Sequence, residues 1–296
     1  MVLARRTYAV PLPRREPLQL GPRTLVMGVL NVTPDSFSDG GAHVDVERAL
    51  EAGFQMAADG ADIIDIGGES TRPGADPLLE AEELRRVLPV LERLAPQAGV
   101  PISIDTYKAR VAREAIERGA TIINDISGLL YDPALGEVAA ASGVALILMH
   151  TRGRSSGMYD LAVYEDAARD VARELGEAIE RATRAGVARA SIVVDPGLGF
   201  AKKAEHSYDV LARLDTLAAL DRPILSGPSR KSFLTAALGE REASDREWGT
   251  AAAVAASVLL GAHIVRVHGV KAMADVVRVA DRIRAAAAGS SGAANA

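Results

Sequence analysis

Eight short apolar runs recur along this 296-residue chain, each ending in a polar residue or a glycine-rich loop, with helical patterns between them. The runs are Leu25–Leu30, Ala61–Ile66, Val100–Ile104, Thr121–Ile123, Val144–Met149, Ala190–Val194, Pro223–Leu225 and His263–Val267. None shows the clean apolar–polar alternation of a strand wetted on one side. Near-continuous apolar strands belong to parallel sheets covered on both faces. The spacing predicts amphipathic helices between them, among them Val46–Asp59, capped by Asp45, and Glu80–Leu94, bent or divided at Pro89. Helices are also expected over Lys108–Arg118, Tyr164–Ala185, Tyr208–Leu220, Glu247–Leu260 and Val270–Ala285. Eight such units predict a single α/β domain, a closed (β/α)8 TIM barrel over residues 25–287. An open doubly wound sheet is the alternative, but its glycine-rich dinucleotide fingerprint is missing. Pro11, Pro13, Pro17 and Pro22 argue against a long helix in the extension 1–24 and suit a short hairpin or a cover for the barrel bottom. Residues 288–296, small and polar, are read as a disordered tail.

Composition limits the partners. The chain is 48% hydrophobic but only 4% aromatic, so alanine, glycine and branched aliphatics must fill the core. A net charge of −5 gives no support for a nucleic-acid partner. No cysteine is present, which removes disulfides, thiolate metal sites and cysteine nucleophiles. No apolar run has membrane-spanning length, and the N-terminus has no signal-peptide core, so a cytoplasmic protein without a membrane partner is expected.

The polar residues collect at the strand ends, which a barrel brings to one mouth. Asn31 opens the loop NVTPDSFSDGG and can hydrogen-bond, bind a hard cation through oxygen, or simply form an Asx turn. Phe37 in that loop can meet a ligand or pack over the barrel. Thr71 and Arg72 stand in a glycine-rich loop, and Arg266 and His268 at another strand end, so both pairs can hold an oxyanion. Asp105, Asn124 and Asp195 offer acceptors suited to the N–H edge of a nitrogen-rich ring, or they cap strand ends. Lys231 can donate to a ring carbonyl or balance Asp195. His150 lines the site or packs as a neutral ring. No Ser–His–Asp arrangement and no short histidine cluster of the zinc kind is visible.

The segments MGVLNVTPDSFSDGG, IDIGGESTRPG, ISIDTYK, INDISG, LMH, DPGLGF, GPSRKSF and RVHGV span Met27 to Val270 and closely resemble those of the dihydropteroate synthase family. The resemblance implies condensation of a dihydropterin methyl pyrophosphate with 4-aminobenzoate, in folate biosynthesis. It places the pterin against Asp105, Asn124, Asp195, Lys231 and Arg266. It implies a pyrophosphate site of Asn31, Thr71, Arg72, Arg266 and His268, with Mg2+ near Asn31 and Asp105. It implies an aminobenzoate site of Thr71, Pro73, Phe200, Lys231 and Ser232, with Phe37 closing over it from the first of two mobile loops, 31–41 and 67–77. Asp105, Lys231, Arg266 and His268 would carry the chemistry. It also implies sulfonamide sensitivity and a homodimer. Three departures stand out: GFAKK over 199–203 where the family often has GFGKT, Thr151 in place of an apolar residue, and Gly269 in place of a frequent aspartate. A corrinoid-dependent methyltetrahydrofolate methyltransferase and a non-catalytic pterin binder are the competing readings. The paired oxyanion groups favour the synthase.

Overall fold

The computed structural model describes residues 5–33, 41–70, 76–154 and 157–293, with backbone only for 41–45 and 288–293. An N-terminal hairpin, β1 (Tyr8–Leu12) antiparallel to β2 (Arg15–Leu20), precedes the barrel. The barrel strands are β3 (Leu25–Asn31), β4 (Ile63–Gly67), β5 (Ile102–Asp105), β6 (Ile122–Asp125), β7 (Ala145–Met149), β8 (Ile192–Asp195), β9 (Leu225–Ser226) and β10 (Ile264–Val267). They form one parallel sheet in the order β8-β7-β6-β5-β4-β3-β10-β9. A single bridge between Val194 and Ile224 brings β8 to β9, with the Val194 N–H donating to Pro223 O at 2.9 Å, so the barrel is nearly closed. This seam is thin because β9 is two residues long, and Pro223 just before it has no N–H to donate.

Helices α1 (Gly41–Ala58), α2 (Glu80–Leu94), α3 (Ala109–Glu117), α4 (Ala134–Ser142), α5 (Ala167–Arg184), α6 (Ala204–Ala212), α7 (Thr235–Leu238), α8 (Glu247–Leu259) and α9 (Val270–Ala293) surround the sheet. Several differ from expectation. α1 begins at Gly41, so Asp45 lies inside it and is not its cap. Phe54, at an apolar spacing that would place it on the buried stripe of that helix, is 37% exposed. α2 runs undivided through Pro89. The helix expected over 208–220 is α6 followed by a 3-10 turn, Leu214–Leu220. α9 continues past 285, where the alanine run Ala285–Ala288 has high helix propensity, and ends at Ala293, within the segment read as a tail.

Strand geometry sorts the side chains into two sets, since successive residues point to opposite faces. Ile64, Ile66, Ile123, Val194 and Val265 pack outward against the helices. Met27, Ile63, Ile122, Ile147, Val193 and Ile264 fill the barrel interior, where Val10, Leu12, Leu18 and Leu20 of the hairpin close its lower end. Two residues further along four of these strands, the same inward face turns polar: Ile63 is succeeded by Asp65, Ile122 by Asn124, Val193 by Asp195 and Ile264 by Arg266. The barrel is therefore apolar below and charged above.

Candidate active site

Asp105, Asn124, Asp195, Lys231 and Arg266 come together around a small cleft, open to solvent, whose apolar walls include Ile126, Met149, Leu198 and Phe200. Arg266 is the centre of its polar floor. Its Nε donates to Asp65 Oδ2 at 2.6 Å and its terminal nitrogen to Asp105 Oδ2 at 2.7 Å. Asp65 Oδ2 also accepts from the Asn124 amide at 2.9 Å, which leaves the Asn124 carbonyl oxygen as an acceptor. Asp195 Oδ1 accepts the Gly197 N–H at 2.8 Å. Lys231 Nζ lies over the Phe200 ring, 3.9 Å from its centroid. Gly227 keeps the wall thin: an added Cβ would lie 3.8 Å from Arg266 Cβ and 4.0 Å from Asp195 Oδ2.

Two carboxylates share one guanidinium here, and the protonation states follow. Burial pushes the Asp105 carboxyl up to about 7; Arg266 opposes the rise and Asp65 adds to it. Burial alone would lower Arg266, but Asp65 and Asp105 overcome this and raise it. Burial raises Asp195 against the pull of the Gly197 N–H and Lys231. Burial, helped by Arg266, lowers Lys231 to about 8, and the neighbouring carboxylates hold it from falling further.

Other expected site residues stand elsewhere. Asn31 ends β3, in register with Gly67, which on its other side pairs with Asp105. A Cβ on Gly67 would lie 3.5 Å from Asp105 Cβ, so this glycine leaves the space between Asn31 and Asp105 open. Both offer hard oxygen donors, which fits a cation that keeps water and phosphate oxygens in most positions. His268 lies outside the cleft lining, with Nδ1 at 3.0 Å from Ser229 Oγ. Ser232 is exposed, 3.5 Å from the Tyr159 hydroxyl, and also outside the lining. Phe37, Thr71, Arg72 and Pro73 lie outside the described residues, as do most of the two loops. His150 does not line the cleft; it is buried between Glu174 and Lys202, and burial lowers it to about 4, a neutral ring. Arg230, adjacent to Lys231, donates to Glu247 at 3.2 Å.

The departures have local accounts. Thr151 is buried but does not line the cleft. Gly269 makes room for a carboxylate: a Cβ there would lie 2.2 Å from Glu247 Oε1. Glu247 thus brings a carboxylate from α8 to the start of α9, beside the position where the family resemblance leads one to expect an aspartate. Asp65 was not among the expected site residues. A carboxylate inside the apolar run IIDIG was the available signal, since a buried charge requires partners.

A barrel whose polar mouth sets acceptors and two cations around a narrow cleft defines an enzyme of the pterin-binding class, and the family model "Pterin binding enzyme" matches residues 27–268. The dihydropteroate synthase of Synechocystis sp. is 44% identical over 277 residues, covering 93% of this chain and 96% of that protein. That of Bacillus subtilis is 46% identical over 259 residues, covering 88% of each. The solved structure of Xanthomonas albilineans dihydropteroate synthase with 4-aminobenzoic acid superposes with a TM-score of 0.85 at 42% identity, covering 91% of this chain and 96% of that one. The chain belongs to the dihydropteroate synthase family of pterin-binding enzymes. Among the described residues no helix is long and apolar enough to cross a membrane.

Proposed function

We infer that this chain condenses 6-hydroxymethyl-7,8-dihydropterin pyrophosphate with 4-aminobenzoate, giving 7,8-dihydropteroate and pyrophosphate. The observation that carries the reading is the cleft, where oxygens of Asp105, Asn124 and Asp195 face the same small space as Lys231 and Arg266. A pterin edge presents ring N–H and amino donors to such acceptors, and its ring carbonyl is a partner for Lys231.

The C–O bond to pyrophosphate breaks with its electron pair leaving on the diphosphate. The methylene carbon becomes electron-poor, and the pterin ring shares the positive charge. Asp65 and Asp105 with one guanidinium leave the floor short of cations, so Asp105 favours that charge. The aminobenzoate nitrogen bonds to the methylene carbon and then releases a proton to solvent. An arylamine is neutral at this stage, so no strong base is required. Arg266 and His268, with Thr71 and Arg72, are read as the pyrophosphate subsite. Phe200, Lys231, Ser232, Thr71, Pro73 and Phe37 are read as the aminobenzoate subsite. Asn31 and Asp105 are the residues that would hold Mg2+, which when bound supplies charge neutralisation to the departing diphosphate.

A cytoplasmic location is proposed on the absence of cysteine and of a membrane-spanning helix among the described residues. A homodimer is proposed on the exposed Val279 and Ile283 of α9, beside α8. The test of function is pyrophosphate release that requires 4-aminobenzoate. Folded protein that binds the pterin substrate and never yields dihydropteroate would overturn the reading. For the site, Asp195→Asn should weaken pterin binding about tenfold or more through a mispaired ring edge. An unchanged pterin Kd removes Asp195 from the role.

A further inference from the structure

We propose that Lys202 is a positioning residue for this reaction, a buried amine that holds the turn carrying Asp195 and Phe200 and is itself locked by His150 and Glu174. The proposal rests on the reading of Asp195 as a pterin acceptor. Lys202 does not line the cleft. It is 1% exposed, the largest of the fully buried side chains among the described residues. Burial lowers its amine to about 7, with Asp195 and Glu174 holding it from falling further, so the group is tolerated there only because its N–H groups are used. Its Nζ lies 3.0 Å from Phe200 O, 3.1 Å from Gly197 O, 3.4 Å from His150 O and 2.8 Å from His150 Nδ1.

The turn needs such a partner. Left-handed residues alternate along it, with φ of +64° at Gly197, +78° at Gly199 and +48° at Ala201. Ala201 adopts this conformation although it has a side chain, which left-handed backbone disfavours. Gly197 cannot be replaced, since a Cβ would lie 2.0 Å from His150 O. Two carbonyls of the turn point at Lys202 Nζ, while its N-terminal end fixes Asp195 through the Gly197 N–H and its far end presents Phe200 to the cleft. Without the amine those carbonyls lose a donor in a buried place, and the turn relaxes with both walls of the cleft.

The lock extends to the helix layer. With Lys202 donating to Nδ1, the His150 ring proton sits on Nε2 and donates to Glu174, 2.9 Å away. Glu174 on α5 also accepts from Arg152 and Arg173. This chain ties the ends of β7 and β8 to α5, and nothing in the chemistry of the cleft uses it directly.

Lys202→Met keeps the volume and removes the charge and donors. The expected result is a pterin-substrate Kd raised about tenfold to a hundredfold, the scale of a wall misplaced by about 1 Å. Binding of inorganic pyrophosphate, whose assigned residues all lie outside the turn, should stay unchanged, as should the far-UV circular dichroism. Wild-type pterin affinity, or an equal loss for inorganic pyrophosphate, overturns the proposal. Should the methionine variant not fold, Lys202→Gln retains two N–H donors without charge and is expected at intermediate affinity. Full affinity in that variant overturns the role of the amine. The pairing with Asp195→Asn separates the two readings. If Asp195→Asn alone binds pterin normally, the pocket reading fails. If it weakens binding and Lys202→Met then adds its whole effect on top, Lys202 does not act through Asp195, and its hold on that acceptor is overturned.

Discussion

Removing Asp65 tests whether the floor of the cleft is held from below. Its side chain is fully buried in β4, and one oxygen takes both Arg266 Nε, at 2.6 Å, and the Asn124 amide, at 2.9 Å. Asp65→Ala leaves Arg266 with Asp105 alone and the Asn124 amide with no acceptor. Breaking a buried ion pair by deleting one partner costs about 3–5 kcal/mol. Asp65→Asn differs, because its amide oxygen can still accept from both groups. The change is then from charge-assisted to neutral hydrogen bonding, about 1–2 kcal/mol. The NH2 would take the place of Asp65 Oδ1, which has no hydrogen-bond partner among the described residues, so it gains nothing there in return. Asp65 also helps raise the Asp105 carboxyl to about 7, so both variants should lower that value and ionise Asp105 more fully near neutral pH. Urea unfolding with an unchanged m-value measures the stability difference. The pH dependence of pterin binding measures the second effect. Asparagine and alanine variants both within about 0.5 kcal/mol of the parent, the range of an uninvolved surface change, would refute this account of the floor.

Three further outcomes follow from the same geometry. Lys231 sits at about 8 against an ordinary 10.5, so its burial penalty is full below pH 8 and fades toward 10.5, where the unfolded chain binds more protons. Stability from this group therefore rises with pH across that window, while pterin binding, which uses the ammonium, should fall from about 8 upward; a pterin affinity flat through that range counts against Lys231 as a donor. Gly197→Ala should cost more than about 3 kcal/mol or prevent folding, since strain at a left-handed position adds to a 2.0 Å clash with backbone; a thermal melt like the parent's would contradict the turn geometry. Leu20→Ala, at a fully buried position of the hairpin plug, should cost about 2–5 kcal/mol by chemical denaturation, and a negligible loss would mean that the hairpin does not close the barrel.

Most of the architecture was legible because it is local. The expectation of eight strands rested on runs such as Leu25–Leu30 and Val144–Met149, whose lack of alternation reports burial on both faces, and the limits of α2 were read directly from its apolar spacing. Element ends were less legible: α1 starts ahead of Asp45, and α9 runs on through Gly289, which the sequence offers as a stop. The polar strand ends Asp105, Asn124, Asp195 and Arg266 could be named before their meeting was seen, since barrel topology gathers strand ends at one mouth.

Pairing was decided only in three dimensions. No pattern in the chain says that Arg266 serves two carboxylates 201 and 161 residues away, or that the Asn124 amide is taken by Asp65 and leaves only its oxygen to the cleft. Nor does any say that Lys202 turns inward to a cage of carbonyls while Lys203 beside it is exposed. The periodicity that sets strands, faces and helices acts between near neighbours and is written in composition and spacing. Hydrogen-bond partners, and the protonation states that depend on them, are set by distances of a few ångströms between residues far apart in the chain, which exist only once the barrel has closed.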